Sequence, residues 1–452
     1  MPEEVVPSSR LRTALAAVGL TALIVAVVVA GEPGPRPLAA VTGRAAPIVR
    51  NGAARTPPMG WNTWNSFGCA IDENLVRTMA DAIVLRGLRD LGYRYVVVDD
   101  CWFDPHRDSA GNLQAAAGRF PHGMRALGAY LHARGLKFGL YQAAGTKTCA
   151  QRSGAYPGAT GSGGHEAQDA RQFAAWGVDY LKYDWCSPSG GIDDQVAAFA
   201  TMGQALVATG RQIVFSINPN SFHALTGPER SWADVANLWR TTEDITNAWD
   251  TGGTGLMGVR NIVDANVGLA AHAGPGGFND PDMLEVGRGG LSDVEMRSHF
   301  ALWAMMAAPL MAGNDLRVAD AATMRILTNS RLIAVDQDGR GLQAVPVDGD
   351  SGARVLVKRL SDGDVAVALF NEGQTAGIIS TTLSAVGLSG RRAVLEDAWT
   401  GVVRATSGAI SASVPAHGTV VYRVRTRSAG GSPGRGSSPR STGAIANTAD
   451  AR

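Results

Sequence analysis

The apolar and polar positions between residues 56 and 314 follow a repeating order of helix and then strand. Short apolar runs alternate with segments in which apolar residues recur three or four positions apart. Three joins share one form, since Gly92, Gly135 and Gly177 each follow a helix-like segment and closely precede an apolar run. Glycine accepts the left-handed conformation that commonly ends a helix. The pattern therefore predicts helices and strands in alternation.

Eight apolar runs in this region are candidate strands. Their centres are 25 to 43 residues apart, which leaves room in each gap for one helix and its loops, and they lie near Trp61, Val97, Phe138, Leu181, Val214, Trp239, Gly277 and Leu310. Eight strands with intervening helices in roughly 250 residues are typical of a (β/α)8 TIM barrel. We place this barrel at residues 55–325. An open doubly wound sheet is the alternative, but no G-x-G-x-x-G or phosphate-loop motif follows the first strand.

The pattern changes after about residue 330. Residues 353–360, 365–370 and 419–424 are alternating or continuously apolar, as β-strands are, and Asp-Gly turns separate such runs. No long helical stripe is present. This predicts a C-terminal antiparallel β domain, a β-sandwich, at residues 330–426.

The two ends of the chain differ in composition from the middle. A basic segment precedes an apolar run from 14 to 30, and Gly and Pro residues follow it. This is the pattern of an export signal. We expect a signal peptide at 1–40, cleaved after Ala30 or at Ala39/Ala40, and a secreted protein, with an uncleaved membrane anchor as the alternative. Residues 427–452 are rich in Ser, Gly, Pro, Arg and Ala and are expected to form a disordered tail.

Composition narrows the classes of function. The formal net charge is +1, from 41 basic and 40 acidic residues, so there is no electrostatic case for nucleic acid or an anionic membrane as a partner. Four cysteines in an exported chain suggest two disulfides. The chain has no C-x-x-C or H-E-x-x-H spacing, and we predict no metal site.

Polar and aromatic side chains cluster where the predicted barrel strands end. In a barrel enzyme, that end carries the chemistry. The residues there are Trp64, Asp99, Asp100, Tyr141, Lys182, Asp184, Asn218, Arg240, Asp244 and Met283. A single Asp after a strand is often only a helix cap, but so many acids and amides at one rim favour a site. Carboxylates and amides suit sugar hydroxyls, and aromatic rings suit the apolar face of a sugar, which predicts a glycosidase.

Two acids in this set are candidates for catalysis. Lys182 and Asp184 are two positions apart and share one face of a strand, so the ammonium is expected to keep the carboxyl ionised, as a nucleophile must be, although a structural ion pair is the alternative. Asp244, placed at the end of the sixth strand, adjoins Glu243, and two adjacent acids can raise one pKa, which suits a general acid. The sequence leaves open which of these two acids points inward, and whether the two carboxyls have a retaining or an inverting separation.

Six segments carry a resemblance to a known family. They are Thr-Pro-Pro-Met-Gly-Trp-Asn-Thr-Trp-Asn at 56–65, Val-Asp-Asp-Cys-Trp at 98–102, Lys-Phe-Gly-Leu-Tyr at 137–141, Tyr-Leu-Lys-Tyr-Asp-Trp-Cys at 180–186, Leu-Trp-Arg-Thr-Thr-Glu-Asp-Ile at 238–245 and Gly-Phe-Asn-Asp-Pro-Asp-Met at 277–283. In this order they resemble glycoside hydrolase family 27, the α-galactosidase or melibiase family. The resemblance runs from about residue 56 to 425 and implies a (β/α)8 barrel followed by an antiparallel β domain.

The resemblance also implies a role for each site residue. Asp184 matches the nucleophile and Asp244 the acid/base of a double displacement that retains configuration and needs no cofactor. The residues that match sugar-binding or pocket-wall positions are Trp64, Asp99, Asp100, Tyr141, Lys182, Arg240 and Met283. The family also has disulfides that match the pairs Cys69–Cys101 and Cys149–Cys186, which neighbouring loops would bring together.

One segment departs from the family pattern. Many members have Cys-Glu-Trp after the fifth strand, whereas this chain has Ser-Ile-Asn-Pro-Asn at 216–220. The neutral amide of Asn218 would then meet the sugar 2-hydroxyl. Small residues that would mark a 2-acetamido pocket are not evident, and the intact Asp99–Asp100 pair leaves room for the 6-hydroxymethyl group of galactose.

The sequence therefore predicts an exported, retaining α-galactosidase that acts on α-galactosyl oligosaccharides or galactomannan. A β-L-arabinopyranosidase or an isomalto-oligosaccharide hydrolase on the same scaffold is the alternative within this class. A non-catalytic sugar-binding protein is the alternative from another class, and it is disfavoured because both Asp184 and Asp244 are present. The sequence makes no prediction of oligomeric state.

Overall fold

The computed structural model describes residues 51–426, apart from 188, 221–224, 254, 348–352 and 389–391. The predicted signal peptide at 1–40 and the predicted tail at 427–452 lie outside these residues. Among the helices described, none combines the length and the apolar character needed to cross a bilayer.

Eight parallel strands form one curved sheet that closes on itself. Along the sheet their order is β7-β6-β5-β4-β3-β2-β1-β8. Closure between β8 and the chain after β7 is made at Leu284, which bridges to Ala312 and exchanges backbone hydrogen bonds with Met311 and Gly313. The fold is the expected TIM barrel, with strands β1 (Met59–Asn62), β2 (Tyr95–Val98), β3 (Lys137–Ala144), β4 (Tyr180–Trp185), β5 (Val214–Asn218), β6 (Leu238–Arg240), β7 (Phe278–Asp280) and β8 (Leu310–Ala312).

Capping residues mark the ends of several barrel helices. The Asp72 side chain accepts the Leu75 N–H at 2.7 Å and caps α2, whose Leu75, Met79 and Ile83 are buried on one face. Gly177 ends α5 in the left-handed conformation, as the sequence pattern indicates. The helices are α1 (Trp64–Phe67), α2 (Glu73–Leu85), α3 (Gly123–His132), α4 (Cys149–Ser153), α5 (Glu166–Trp176), α6 (Ile192–Ala208), α7 (Val259–Asn266), α8 (Asp293–Met306), α9 (Ala321–Leu327) and α10 (Ser330–Asp336).

The expectation of one helix in each gap between strands is wrong in three places. Between β1 and β2 the chain forms both α1 and α2, and between β3 and β4 it forms both α4 and α5. Between β5 and β6 the described residues form only a short 3₁₀ helix, Gly227–Glu229. This connection is the shortest of the seven.

The chain after the barrel forms two antiparallel sheets. A six-stranded sheet has the order β14-β13-β16-β11-β10-β9, and β12 pairs with β15 in a second sheet. Apolar side chains from both sheets make a common core, which is the predicted β-sandwich. The strands are β9 (Val345–Val347), β10 (Ala353–Arg359), β11 (Val365–Asn371), β12 (Gly377–Thr382), β13 (Ala393–Asp397), β14 (Val403–Thr406), β15 (Ala409–Val414) and β16 (Thr419–Thr426).

The central strand of the six-stranded sheet joins the two domains. All seven residues of β11 are buried. Val367 and Leu369 face the core of the sandwich, whereas Ala368 and Phe370 belong to the core that continues into the barrel. Because side chains alternate along a strand, β11 contributes to both cores at once. Helix α8 is the barrel element against which this face packs.

Candidate active site

A cavity of about 130 Å³ opens at the carboxyl ends of the barrel strands. Eight of the ten site residues predicted from the sequence line it, together with Cys149 and Glu243; the eight are Trp64, Asp99, Asp100, Tyr141, Lys182, Asp184, Asn218 and Asp244. A larger cavity of about 350 Å³ lies at the amino ends of the strands, but its lining residues include no carboxylate. Five carboxyl groups line the smaller cavity, which makes it the candidate for acid–base chemistry.

Two adjacent aspartates after β2 are fixed by hydrogen bonds. Asp99 Oδ2 accepts from Asn62 Nδ2 at 2.7 Å and from Lys182 Nζ at 2.9 Å. Asp100 accepts the backbone N–H of Cys101 at 2.7 Å and of Ala150 at 2.9 Å. Burial, together with the charge of Asp99, raises the pKa of Asp100 to about 6 despite these hydrogen bonds. The pair thus presents carboxyl oxygens held in fixed directions.

Strand register places the centre of the site. Tyr141 on β3 lies beside Lys182 on β4, and Asp184 on β4 lies beside Asn218 on β5. Lys182 forms an ion pair with Asp99 at 2.9 Å. The alternative of a structural ion pair between Lys182 and Asp184 is therefore not observed. The Lys182 ammonium also lies 5.3 Å from the centre of the Tyr141 ring.

The carboxyl group of Asp184 lies almost wholly out of water. Burial raises its pKa to about 7, and the charges of Asp99 and Asp244 act in the same direction. The ammonium of Lys182 and a hydrogen bond from Tyr141 oppose the shift without cancelling it. Desolvation therefore outweighs the nearby cation in the free site and favours a proton on Asp184, whereas the sequence argument expects Lys182 to keep this carboxyl ionised.

Asp244 lies four residues beyond the end of β6, in a loop, rather than at the strand end as expected. Its side chain is 55% exposed, and its Oδ1 accepts from Arg240 Nη2 at 3.0 Å. Arg240 and Lys182 lower its pKa against the effect of burial, whereas burial and the charge of Asp244 raise the pKa of Glu243. Of the two adjacent acids, Glu243 is the one with the raised pKa, yet both line the cavity.

Arg240 and Met283 line an adjoining cavity of about 30 Å³, which shares Lys182 and Asn218 with the larger one. Arg240 Nη2 also pairs with Asp282 Oδ2 at 2.9 Å, and both side chains are buried. Asp282 in turn accepts the Ile245 N–H at 2.9 Å. This ion pair anchors the guanidinium that reaches Asp244.

Sequence reasoning did not select Asn62, Asp282 or Glu243 as site residues. Asn62 and Asp282 hold other site residues in place, through a hydrogen bond to Asp99 and an ion pair with Arg240. Residue type and spacing in the sequence do not show such indirect contacts. Glu243 could have been found from its place beside Asp244, since the question of which of the two points inward was open.

Two disulfides lie at the rim of the cavity. They join Cys69 to Cys101 and Cys149 to Cys186, the pairs that the resemblance implies, and they leave no free cysteine. Cys149 and Cys186 lie close to Asp184. Because both sulfurs are in a disulfide, they are not thiolate ligands, and this group does not make a metal site.

The chain matches two family models in sequence. Residues 56–338 match one described as alpha galactosidase A, and residues 350–424 match one described as the alpha galactosidase C-terminal beta sandwich domain. An α-galactosidase from Cyamopsis tetragonoloba is 42% identical over 385 residues, which cover 84% of this chain and 89% of that protein. The chain belongs to glycoside hydrolase family 27. It is a glycoside hydrolase.

Solved structures of this family share the architecture. α-Galactosidase I from Mortierella vinacea superposes with a TM-score of 0.77 and 35% identity, covering 83% of this chain and 98% of that one. The α-galactosidase from Saccharomyces cerevisiae with raffinose has a TM-score of 0.76 and 30% identity, covering 84% of this chain and all of that chain. Barrel and sandwich are therefore both features that this chain shares with other family 27 proteins.

Proposed function

We propose that the protein is a retaining α-galactosidase that removes terminal α-D-galactosyl groups from oligosaccharides such as raffinose, or from galactomannan. The observation that carries this proposal is one small cavity in which Asp184 and Asp244 meet the fixed pair Asp99 and Asp100. The names of its relatives support the galactosyl specificity.

The proposed binding mode uses the charged groups of the cavity. Asp99 and Asp100 accept hydrogen bonds from the 4- and 6-hydroxyls, and Lys182 donates to a sugar oxygen while it stays paired with Asp99. Asn218, next to Asp184 across the strand pair, is in place for the 2-hydroxyl. Trp64 and Tyr141 supply aromatic walls for the apolar face of the ring.

In the first proposed step, ionised Asp184 attacks the anomeric carbon. The bond between that carbon and the glycosidic oxygen breaks, and Asp244 gives its proton to the departing oxygen. The leaving group departs as a neutral alcohol, the galactosyl group is esterified to Asp184, and Asp244 is left as a carboxylate.

In the second step, the Asp244 carboxylate takes a proton from a water molecule whose oxygen attacks the anomeric carbon. The ester bond to Asp184 breaks, so galactose leaves with its original α configuration and both acids return to their starting states. The exposed position of Asp244 gives water access to this face.

The first test is substrate preference. Purified protein is assayed with p-nitrophenyl α-D-galactopyranoside and with p-nitrophenyl β-L-arabinopyranoside, which lacks the 6-hydroxymethyl group. We expect kcat/KM to favour the galactoside by more than about tenfold, because the 6-hydroxyl that is proposed to donate to the Asp99–Asp100 pair is present only in galactose. A preference for the arabinoside would overturn the substrate assignment while leaving the two-carboxylate chemistry in place.

The second test is the stereochemistry. Proton NMR during hydrolysis is expected to show α-galactose first, with the β anomer appearing only by mutarotation. Asp184→Asn is expected to lower kcat by at least about 10⁴-fold with an unchanged circular dichroism spectrum. Initial release of β-galactose, or an Asp184→Asn variant with near-normal turnover, would rule out the covalent route.

We also propose that the protein is exported. The apolar run at 14–30 and the pairing of all four cysteines support this, since disulfides persist mainly in oxidising compartments. Expression in a secreting host, followed by N-terminal sequencing of protein from the medium, is expected to find a new terminus near residue 40. Full-length protein retained in the membrane fraction would support the anchor instead.

A further inference from the structure

The loop after β6 carries Asp244 and is tied at its two ends. The Met257 N–H donates to the carbonyl of Asp244 at 2.9 Å, and the Thr246 N–H donates back to Met257 at 2.9 Å. The Ile245 N–H is held by Asp282. These bonds fix the ends of the loop, and the Arg260 N–H of α7 donates to the Trp249 carbonyl at 2.8 Å between them. The Trp249 side chain is supported from elsewhere.

That support comes from the β domain and reaches the loop at Trp249. The Trp249 side chain is buried and stacks on His417, with ring centres 4.8 Å apart and planes 13° from parallel. Its edge meets Phe370 of β11 at 6.0 Å. A tryptophan five residues from the proposed acid/base thus packs against two rings of the other domain.

His417 is itself rigidly placed. It lies in the turn between β15 and β16 with φ at +58°, a left-handed conformation that is uncommon for residues other than glycine. Its Nδ1 lies 2.7 Å from Glu295 Oε1, and its carbonyl accepts from Ser298 Oγ at 2.5 Å. Both partners belong to α8. The imidazole therefore stands on the barrel helix and supports the ring of Trp249 from a fixed position.

We infer that His417 and Trp249 are positioning residues, through which the β domain holds the Asp244 loop in its catalytic place. Asp244 has a short, mostly exposed side chain, and among the described residues its side-chain hydrogen bond comes from Arg240. Its backbone position therefore decides where its proton is delivered. The inference rests on the proposed function, since it concerns the acid that the reaction uses.

The test compares substrates that differ in their need for acid. A natural galactoside such as melibiose has a poor leaving group and depends on Asp244, whereas p-nitrophenyl galactoside has a good one and depends on it little. We expect Trp249→Ala to lower kcat/KM for melibiose by about tenfold or more and for the aryl substrate by less than about threefold. Trp249→Phe keeps a ring for His417 and is expected to restore most of the loss.

His417→Asn tests the second member of the pair. Asparagine tolerates the left-handed conformation, so this change removes the ring with little effect on the turn. We expect the same selective loss on melibiose as for Trp249→Ala, but smaller. The matched control is Trp399→Ala, since Trp399 is a partly buried tryptophan of the β domain whose ring faces Arg297 of α8. This control is expected to lower stability and to affect both substrates equally.

Equal losses on the two substrates for Trp249→Ala and His417→Asn would show a merely structural role and overturn the inference. Unchanged kinetics on both substrates would do the same. The variant Asp244→Asn distinguishes failure of the inference from failure of the proposed function. If Asp244→Asn itself shows no selective loss on melibiose, the acid role is wrong. If it does and the two positioning variants do not, only the inference fails.

Discussion

At the scale of single residues, Asp184 and Asp244 differ in which of them holds a proton. Asp184 is buried and has a pKa of about 7, whereas Asp244 is exposed beside Arg240 and has a lowered pKa. In the free site these shifts favour a proton on Asp184, whereas the proposed reaction needs the proton on Asp244. The proposed glycosyl transfer would then start from the less favoured of these two protonation states.

The pH dependence of kcat/KM follows from this arrangement. Activity is expected to fall above about pH 7, because there the last shared proton is lost from the pair. Asp244→Asn removes one of the negative charges that raise the pKa of Asp184. With p-nitrophenyl galactoside, which needs little acid, this variant should have no alkaline fall, and its activity should rise with pH through a pKa below 7.

An alkaline fall that persists in Asp244→Asn would assign that limb to another group. Asp100 and Asp280 are the candidates, because each has a raised pKa of about 6. Asp100→Asn in the same assay would identify the first of them.

The sequence locates the acids of the site but not their electrostatics. Strand-end position is enough to select residues such as Asp99 and Asp184, since all carboxyl ends of a parallel barrel meet at one rim. The protonation preference depends on how far each carboxyl is removed from water. That quantity is a property of the folded cavity, and it raises the pKa of Asp184, where the sequence argument expects a lowered one.

At the scale of elements, α4 connects a disulfide to the sugar site. Cys149 begins α4, and the next residue, Ala150, donates its N–H to Asp100. The bond to Cys186 fixes this end of the helix to the end of β4. The disulfide thereby holds the backbone donor that orients one of the proposed galactose ligands.

Removing this disulfide should therefore change both stability and binding. The double variant Cys149→Ser/Cys186→Ser is expected to lose about 2–4 kcal/mol of unfolding free energy. We also expect KM for p-nitrophenyl galactoside to rise several-fold with a smaller change in kcat. Asp320→Ala is the control, because it removes only the cap of α9 and should cost about 1 kcal/mol without raising KM. Unchanged KM in the disulfide variant would show that Ala150 keeps its place without the bond.

Element prediction succeeded where the local signal was strong. The centres of seven strands fall inside the observed elements, and Gly277 falls one residue before β7. The one-helix-per-gap expectation failed after β5, because apolar spacing shows where strands lie but not how a short connection crosses between them. The interdomain stack of Trp249 on His417 joins residues 168 positions apart, and no local pattern encodes such a contact.

At the scale of the whole molecule, a buried ionisable pair lies between the domains. Asp336 ends α10, and Lys358 on β10 donates to the carbonyl of Ala304 in α8 at 3.0 Å. Both side chains are fully buried. Burial raises the pKa of Asp336 and lowers that of Lys358, in each case to about 8, against the mutual attraction of their charges.

Lys358→Met should destabilise the protein by about 3 kcal/mol, because it removes the positive charge that acts on buried Asp336 and the hydrogen bond to Ala304. The folded state then keeps a proton on Asp336 that the unfolded state releases above about pH 4. Stability should accordingly fall as pH rises from 4 to 8, which denaturant unfolding at several pH values will measure. Asp336→Asn/Lys358→Met should remove this slope and recover part of the loss. A single variant with no pH slope would mean that Asp336 finds another partner.

The first strand of the barrel, β1, pairs with the last, β8, so the barrel can close only late in synthesis of the chain. Strand β1 bonds to β2 on one side and to β8 on the other, and β8 ends at Ala312. The lining of the proposed active site is complete well before this, at Asp244. A nascent chain that has left the ribosome up to residue 300 therefore carries every lining side chain of the cavity while β1 still has an open, aggregation-prone edge. The barrel closes only when the eighth strand is added. A chain that ends before β8 therefore contains the proposed catalytic side chains but is expected to be inactive.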